Sequence, residues 1–447
     1  MAPLVNISDI FRTVGQPTVT YVQRNSGLFE GLLNRALDER GQLCLVTGPS
    51  KTGKTTLYRE VLSKREEIPL VIACDKKTST ELVWRQALEA VDFERAVSQA
   101  SKNTTNKSLE VEGSGQLGWK WLAGVSAKFK GAFGKQATEE EVKEKIIAAA
   151  GPDLLIPVLQ NSNYVLIIED FHYLMDEEKT LLFQQWKRFI DNEVTVIVLG
   201  TTHRAIDIAS SNKDLVGRIT QIDVGNWSAP DLKRICVQGF GHLKIFFPDS
   251  LATILSLEAA GLPIIVQRVC LELLSSQGIA AIAQVSAATP TFDHHSLRLS
   301  LHNVARQRYS QLENYYNILI KGPREKSRKY KTYELVLACF TLDPISFRLS
   351  KANIHERIRK LKIETSEIPP PPSVNSTLGA LRKYQERRGI ELLEWRPKED
   401  ILYILEPVFL FYVRWRKLLG VQSQNLDIFE KLLASITANW NAYLRTR

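Results

Sequence analysis

One short stretch constrains this chain more than any other: residues 48–55 follow the pattern G-x-x-x-x-G-K-T. The mostly apolar residues 43–47 (LCLVT) predict a buried strand before it, and residues 57–62 (LYREVL) predict a helix after it. The two glycines let the backbone turn and bring its N–H groups close to phosphate oxygens. The positive end of the new helix adds to that attraction. A strand, this loop and a helix together predict a nucleotide-binding site.

Two residues of the loop carry the predicted chemistry. The ammonium group of Lys54 is placed to reach the β- and γ-phosphates, and the Thr55 hydroxyl is placed for Mg²⁺. The other interpretation, a glycine-rich turn that binds nothing, does not account for the complete motif in this setting. The predicted phosphate-binding residues are Gly48, Pro49, Ser50, Lys51, Thr52, Gly53, Lys54, Thr55 and Thr56.

Length and composition are those of a globular protein with two or three domains. The chain has 447 residues, of which 44% are hydrophobic and 24% charged. No stretch reaches the roughly 18 uninterrupted apolar residues of a membrane span, and the first residues, MAPLVN, lack the pattern of a signal peptide. The five cysteines are far apart, without C-x-x-C spacing. These features predict buried free thiols and a cytoplasmic location.

The positive charge is concentrated in the last third of the chain. Residues 320–447 contain 24 Lys and Arg and 14 Asp and Glu, a net charge of +10, whereas the preceding residues have a net charge of −1. A basic region of this kind favours a nucleic acid or another anionic partner, although solvated Lys and Arg faces are also common.

Apolar segments that alternate with helical patterns predict the fold of the first half. The predicted strands are 43–47, 69–75, 164–170, 194–200 and 220–224. Their continuous apolar character is typical of strands buried on both faces, so an α/β fold with a parallel sheet and helices on both faces is expected. The predicted domains are 1–227, 228–320 (a helical lid) and 321–447 (basic, with C-terminal helices).

An insertion interrupts the first predicted domain at about residues 98–138. It combines a polar run, closely spaced glycines at 113, 115 and 118, and helically spaced apolar residues with several lysines. Three interpretations remain open: a surface insertion, a protein-contact or pore-type loop of an oligomer, and a basic amphipathic helix on a membrane surface.

The last domain has the sequence plan of a winged helix. Helices are predicted at 333–340, 350–361 and 376–388, and two strand patterns at 391–395 and 401–405 form a hairpin. Four prolines at 369–372 predict a stiff break before the third helix.

Two adjacent carboxylates, Glu169 and Asp170, end the third predicted strand. Ligands of open α/β sheets bind at this edge, and a charge in a buried sheet is costly unless it has a role. Hydrolysis at a P-loop needs a carboxylate near the Mg²⁺ and a group that polarises the attacking water. We therefore predict that this pair is catalytic; simple solvation of the strand end is the alternative.

Taken together, the P-loop, the acidic strand, Gly200-Thr201-Thr202, the downstream Arg218, the helical lid and the winged helix resemble ATPases of the AAA+/STAND grouping. The resemblance covers roughly residues 19–419 and is strongest to initiator and transposition-regulator ATPases and to bacterial defence-associated relatives. It implies ATP and Mg²⁺ as cofactors. It also implies that Glu169 takes the metal position and Asp170 the water-polarising position. The usual order is Asp then Glu, so the exchange in this chain predicts slow hydrolysis.

The resemblance implies further roles. Thr202, with Thr201 as the second choice, matches the residue that senses the γ-phosphate; a strand-capping threonine is the alternative. Arg218 matches the arginine that is supplied to a neighbouring subunit, and a plain surface arginine is the alternative. Near the amino terminus, Tyr21, Val22 and Arg24 resemble the segment that lines the adenine pocket. In the lid, Ile264 stands where a basic residue is expected, and Arg268 is a weak substitute.

Two functions remain open from the sequence. One is a molecular switch that oligomerises with ATP, controls a partner protein and, by resemblance, acts in bacterial antiviral defence. The other is an initiator or transposition-regulator type of ATPase that acts on duplex DNA. In the second case the helix 376–388 would enter the major groove and the hairpin would approach phosphates. The residues expected to contact DNA are Arg382, Lys383, Gln385, Arg387, Arg388, Arg396 and Lys398.

Overall fold

The structure is a computed structural model, and it describes residues 5–91, 150–200, 215, 217–225, 227–285, 290–322, 329–342, 345–361 and 363–417. The chain divides into two compact units. Unit 1 contains residues 1–22, 49–52 and 227–447, and unit 2 contains residues 23–48 and 53–226. The predicted insertion at 98–138 lies outside the described residues.

The helices and strands are numbered in chain order through the described residues. The elements of the first half are α1 Ile7–Ile10, α2 Leu28–Glu39, β1 Leu43–Thr47, α3 Lys54–Lys64, β2 Ile68–Ala73, α4 Thr80–Glu89, α5 Pro152–Gln160, β3 Tyr164–Glu169, α6 Asp176–Asp191, β4 Val196–Gly200 and β5 Ile219–Asp223. The elements of the second half are α7 Ala229–His242, α8 Asp249–Glu258, α9 Pro263–Ser275, α10 His294–Tyr309, α11 Leu312–Lys321, α12 Thr332–Thr341, β6 Arg348–Ser350, α13 Lys351–Lys360, α14 Pro371–Glu386, β7 Leu393–Arg396, β8 Ile401–Ile404 and α15 Val408–Trp415.

Unit 2 contains a parallel five-stranded sheet with the order β2-β3-β4-β1-β5. The two faces of β1 show why the strands are apolar throughout. Leu43 and Leu45 pack into one core with residues of α4, α5 and α6, whereas Cys44 and Val46 pack into another with residues of α2 and α3. Helices therefore cover both faces of the sheet, and the predicted α/β fold is confirmed.

Unit 1 is mainly helical, and its described residues include a buried ion pair. Glu258, at the end of α8, accepts hydrogen bonds from Arg414 and Trp415 of α15. The Arg414 Nε atom lies 2.7 Å from Glu258 Oε2, and the two side chains are only 7% and 3% exposed. Because both charges are removed from water together, this pair joins α8 to α15 inside the core of the unit.

The last part of unit 1 contains the helices α12, α13 and α14 and an antiparallel sheet with the order β6-β8-β7. The predicted helices and hairpin are present. The predicted start of the third helix is wrong, because α14 begins at Pro371 rather than near Ser376. Proline is tolerated in the first turn of a helix, where its missing N–H would have no intrahelical partner. Pro371 and Pro372 therefore begin this helix instead of breaking the chain before it.

All five cysteines are buried and free, as the sequence predicts. Within the described ranges, no helix is long and apolar enough to cross a bilayer.

Candidate nucleotide-binding site

Polar residues of unit 2 collect at the carboxyl edge of the parallel sheet. Thr47, the last residue of β1, is paired with Gly200 of β4 on one side and with Asp223 of β5 on the other. Glu169 ends β3 and is paired with Ala73. Because parallel strands end at the same edge, these termini surround the start of the P-loop.

The glycines of the P-loop adopt backbone conformations that side chains disfavour. Gly48 has φ of 150° and Gly53 has φ of 98°, and α3 begins directly after the second glycine, at Lys54. The Lys54 ammonium group turns back and donates a hydrogen bond to the Gly48 carbonyl oxygen at 2.8 Å. The lysine charge thus lies over the loop at the positive end of a helix, an arrangement suited to phosphate.

The environment of Lys54 changes its proton affinity. Burial lowers the pKa of Lys54 from 10.5 to about 8, against the attraction of the carboxylates of Asp170, Glu169 and Asp223. Burial outweighs three nearby negative charges because the ammonium ion loses most of its hydration. The lysine is therefore prepared to gain stabilisation from a bound anion.

Glu169 is held by two hydroxyl groups of α3. Thr55 Oγ1 donates to Glu169 Oε1 at 2.8 Å, and the Tyr58 hydroxyl donates to the same oxygen at 3.1 Å. Arg59 Nε in turn donates to the Tyr58 hydroxyl at 3.4 Å. The structure thus brings together the two residues predicted to lie near Mg²⁺, Thr55 and Glu169.

Asp170 leaves the strand with a left-handed backbone. Its φ of 56° is unusual for a residue other than glycine, and it precedes a short 3-10 turn, Phe171–Tyr173. Partial burial and the neighbouring Glu169 carboxylate raise the pKa of Asp170, and Lys54 opposes the shift. Strained conformations of this kind are concentrated at functional sites, so the backbone of Asp170 is consistent with a role at this edge.

The apex of the P-loop, Pro49–Thr52, belongs to unit 1. Thr52 Oγ1 closes the turn by donating to the Pro49 carbonyl oxygen at 2.9 Å. The Lys51 ammonium group, predicted to bind phosphate, lies 3.2 Å from a carboxylate oxygen of Glu406 in this unit. Lys51 itself has φ of 65°.

Other predicted residues are not all near this edge. Arg24 is buried; it lies over the ring of Phe29 and donates at 3.0 Å to the carbonyl oxygen of Val224, the residue after Asp223 at this edge. Tyr21 belongs to unit 1, and Thr201 and Thr202 lie outside the described residues. Arg218 is exposed and immediately precedes β5, so roughly 15 Å of strand separates it from Asp223 at the P-loop edge.

Two residues at this edge were missed by the sequence analysis. Tyr58 contacts Glu169, and Asp223 lies near Lys54. Tyr58 follows Thr55 by one helical turn, so its position on the same face of α3 was visible in the sequence. Asp223 ends a strand beside the P-loop strand, and that neighbourhood depends on the strand order, which the sequence does not reveal.

The donor set at this edge suits Mg²⁺ together with a nucleotide. Thr55 and Glu169 supply hard oxygen atoms, as Mg²⁺ requires. Among the described residues, no group of three or more His, Cys, Asp and Glu side chains could hold a metal ion by itself. Mg²⁺ is commonly bound by one or two protein oxygens together with substrate phosphates, so the residues present fit the ion when phosphate is bound.

The basic surface of the C-terminal part differs from the prediction in two places. Gln385, expected to face DNA, is buried and bonds the backbone of Leu392 and Leu393. Arg396 pairs with Glu394 and Glu399, so its charge is already compensated. The reason differs for the two residues: Gln385 satisfies buried backbone groups, whereas Arg396 has two carboxylates within reach. The exposed basic residues of this surface are Arg382, Lys383, Arg387, Arg388 and Lys398.

Comparison with known proteins finds solved structures that are similar to this chain at low sequence identity. A Walker-type ATPase of Pyrococcus abyssi is 14% identical over 89% of this chain and 100% of its own, with a TM-score of 0.47. Cdc6p of Pyrobaculum aerophilum is 12% identical over 97% and 100%, with a TM-score of 0.40. The ORC1 protein of Aeropyrum pernix, solved with DNA, is 14% identical over 92% and 96%, with a TM-score of 0.39.

No family model and no curated protein matches the chain. We therefore base the interpretation of the site on the strand order, the P-loop and the contacts of the chain itself.

Proposed function

We propose that this protein is an ATP-binding and slowly hydrolysing molecular switch of the AAA+/STAND type, which oligomerises with ATP and controls a partner protein. The observation that carries the proposal is the 2.8 Å hydrogen bond between Thr55 and Glu169 beside the buried Lys54. A P-loop alone accounts for phosphate binding. A carboxylate already engaged by the P-loop threonine supports a bound Mg²⁺ and hydrolysis.

In this proposal each residue of unit 2 has one task. The backbone of Gly48 and of residues 53–56 and the Lys54 ammonium group bind the phosphates, and Thr55 and Glu169 hold the metal ion. When bound, Mg²⁺ neutralises developing negative charge on the phosphates. Asp170 accepts a hydrogen bond from the attacking water. An aspartate is one methylene shorter than the glutamate usual at this position, so its reach to the water is poorer and hydrolysis is slow.

The proposed assembly depends on Arg218. This arginine is exposed and lies at the amino end of β5, away from the P-loop edge of its own sheet. Its guanidinium group is therefore better placed for a nucleotide bound to a neighbouring subunit. The division of unit 1 into a helical lid and a winged helix, and a role in antiviral defence, belong to the same proposal and come from the sequence resemblance.

The proposal is tested by comparing Lys54→Ala with Asp170→Ala. We expect Lys54→Ala to abolish ATP binding, because the loop loses the ammonium group that lies over it, and Asp170→Ala to bind ATP without hydrolysing it. Calorimetry measures the binding, and phosphate release under single-turnover conditions measures the hydrolysis. Equal loss of binding in both variants contradicts the division of roles. A wild-type turnover above roughly 10 per second contradicts the slow switch.

The assembly is tested by light scattering with and without ATP. Wild-type protein is expected to form a larger species with ATP, and Arg218→Ala is expected to hydrolyse less within that species. Unchanged hydrolysis and assembly in Arg218→Ala remove the proposed role in a neighbouring site.

A second candidate function, action on duplex DNA, is favoured by the exposed basic residues of α14 and the residues that follow it. Arg382 is exposed but pairs with Glu386, and Lys383, Arg387 and Arg388 are also exposed. Contacts of such side chains to phosphates release counterions, so DNA affinity would fall steeply with salt. Duplex affinity is measured at several salt concentrations for the wild type and for Arg387→Ala with Arg388→Ala. Equal affinity of the two proteins removes this candidate.

A further inference from the structure

Tyr58 contacts the proposed metal ligand through its hydroxyl group. It donates to Glu169 Oε1 at 3.1 Å, and this oxygen also accepts the Thr55 hydroxyl at 2.8 Å. Both donors lie on one face of α3, one helical turn apart. The second carboxylate oxygen, Oε2, receives neither of these bonds.

The position of the Tyr58 hydroxyl is determined by its surroundings. The side chain is fully buried and packs with Leu57, Val61 and Leu62 of α3 and with the sheet. The hydroxyl is a donor in this contact, because a phenol keeps its proton near neutral pH and the ionised carboxylate can only accept. Arg59 Nε donates to the same hydroxyl oxygen and orients it further. A rigid neutral donor therefore points at the carboxylate.

We propose that Tyr58 is a positioning residue that holds the Glu169 carboxylate in the orientation that binds Mg²⁺ together with ATP. This inference rests on the proposed ATP-binding function. A glutamate has one more rotatable bond than an aspartate, so its carboxylate is less confined at the same backbone position. Two donors to Oε1 restrict that freedom and leave Oε2 for the ion. The tyrosine thus compensates for the glutamate that stands at the metal position of this chain.

The test is the substitution Tyr58→Phe, which removes the hydroxyl and keeps the ring. ATP affinity is measured by calorimetry with Mg²⁺ and again with EDTA, and the ratio of the two affinities is the readout. Loss of an outer contact to a metal ligand typically lowers metal affinity 10- to 100-fold. We expect the ratio to fall about tenfold in Tyr58→Phe, with unchanged affinity in EDTA. A residue that acts only through packing would lower both affinities alike.

Tyr164→Phe is the matched control, because Tyr164 is a buried tyrosine at the opposite end of β3. Its Mg²⁺-to-EDTA ratio should equal that of the wild type. A second comparison uses Glu169→Gln, with and without Tyr58→Phe. If Tyr58 acts through Glu169, the tyrosine substitution causes no further loss of the ratio in the Glu169→Gln background. The double-mutant comparison requires that all the variants are folded. Thermal unfolding verifies this for each of them.

The possible results separate this inference from the proposed function. If the wild type binds ATP and Lys54→Ala does not, but Tyr58→Phe has the wild-type ratio, the role of Tyr58 is refuted and the ATP-binding function stands. The role of Tyr58 is also refuted if Tyr58→Phe lowers the Mg²⁺-to-EDTA ratio as much in the Glu169→Gln background as in the wild type. If the wild type does not bind ATP with Mg²⁺, both proposals are overturned. If Tyr58→Phe does not fold, Arg59→Met provides the answer: Arg59 is exposed and orients the Tyr58 hydroxyl, so the Mg²⁺-to-EDTA ratio should fall with unchanged affinity in EDTA, and a wild-type ratio refutes the role of Tyr58.

Discussion

Two glutamates of this protein accept hydrogen bonds from nearby side chains, yet their arrangements differ. In unit 1, both oxygens of Glu258 are occupied: Oε1 accepts from Arg414, and Oε2 accepts from Arg414 and Trp415. In unit 2, the two donors to Glu169 share a single oxygen, Oε1. The carboxylate of Glu258 is only 3% exposed, whereas Glu169 lies at the open edge of a sheet.

The difference indicates which polar cluster is structural and which is functional. A buried charge whose hydrogen bonds are all made within the protein stabilises the packing around it and has nothing left for a ligand. A carboxylate held on one side only, next to the positive end of a helix and a buried lysine, retains an oxygen for a cation. Substitutions at the two glutamates and their partners should therefore affect different properties.

The largest expected effect is on stability, from Arg414→Leu. Removing the cation leaves Glu258 buried without its ionic partner, which typically costs about 3–5 kcal/mol of the free energy of unfolding. Denaturant titration measures this value, and ATP affinity of the folded protein should not change. Replacing both members, with Glu258→Met added, should recover most of the stability. A loss below about 1 kcal/mol in the single variant would mean that this pair is not the structural cluster described above.

The second expected effect is on binding, from Glu169→Gln. We expect at least a tenfold loss of ATP affinity in Mg²⁺, about 1.4 kcal/mol, because the amide oxygen is a poorer ligand for a hard cation. The free energy of unfolding should change by less than about 1 kcal/mol, since the residue is only partly buried. Calorimetry and denaturant titration measure the two quantities. A large loss of stability with intact Mg²⁺-dependent binding would mean that Glu169 has a structural role, like Glu258.

The smallest expected effect is on the pH dependence of binding. Lys54 of the free protein has its pKa lowered to about 8, and bound phosphates favour the charged form. Above pH 8 the free lysine loses its proton, so ATP binding must recover it, and the affinity should fall about fivefold between pH 8 and pH 9. Lys54→Arg should abolish this slope because the guanidinium group stays charged. A wild-type affinity that is flat over this range contradicts the lowered pKa.

The lowered pKa of Lys54 also determines how the free energy of unfolding depends on pH. Between pH 8 and 10.5 the unfolded chain binds more protons at this lysine than the folded protein does, so the contribution of Lys54 to stability rises with pH. The buried pair in unit 1 should add no such slope, because Arg414 does not titrate in this range.

Local patterns in the sequence were sufficient for the elements that lie next to each other along the chain. The strand 43–47, the P-loop and α3 were predicted with nearly correct bounds, because apolar runs, glycines and helical spacing act over a few residues. Local patterns were less reliable at Pro371 and Gln385. A proline permits a helix start as well as a break, and a polar side chain can turn inward when buried backbone groups need partners.

By itself, the sequence determined a P-loop motif on a strand–loop–helix unit within a parallel α/β sheet. The tertiary structure decided which residues meet there. The order β2-β3-β4-β1-β5 places Asp223 beside the P-loop strand, and the packing of α3 on the sheet brings Tyr58 and Thr55 to one oxygen of Glu169. These contacts join residues more than a hundred positions apart, and no local preference encodes them. Two hydroxyl groups of α3, the helix that follows the P-loop, therefore join it to the Glu169 carboxylate.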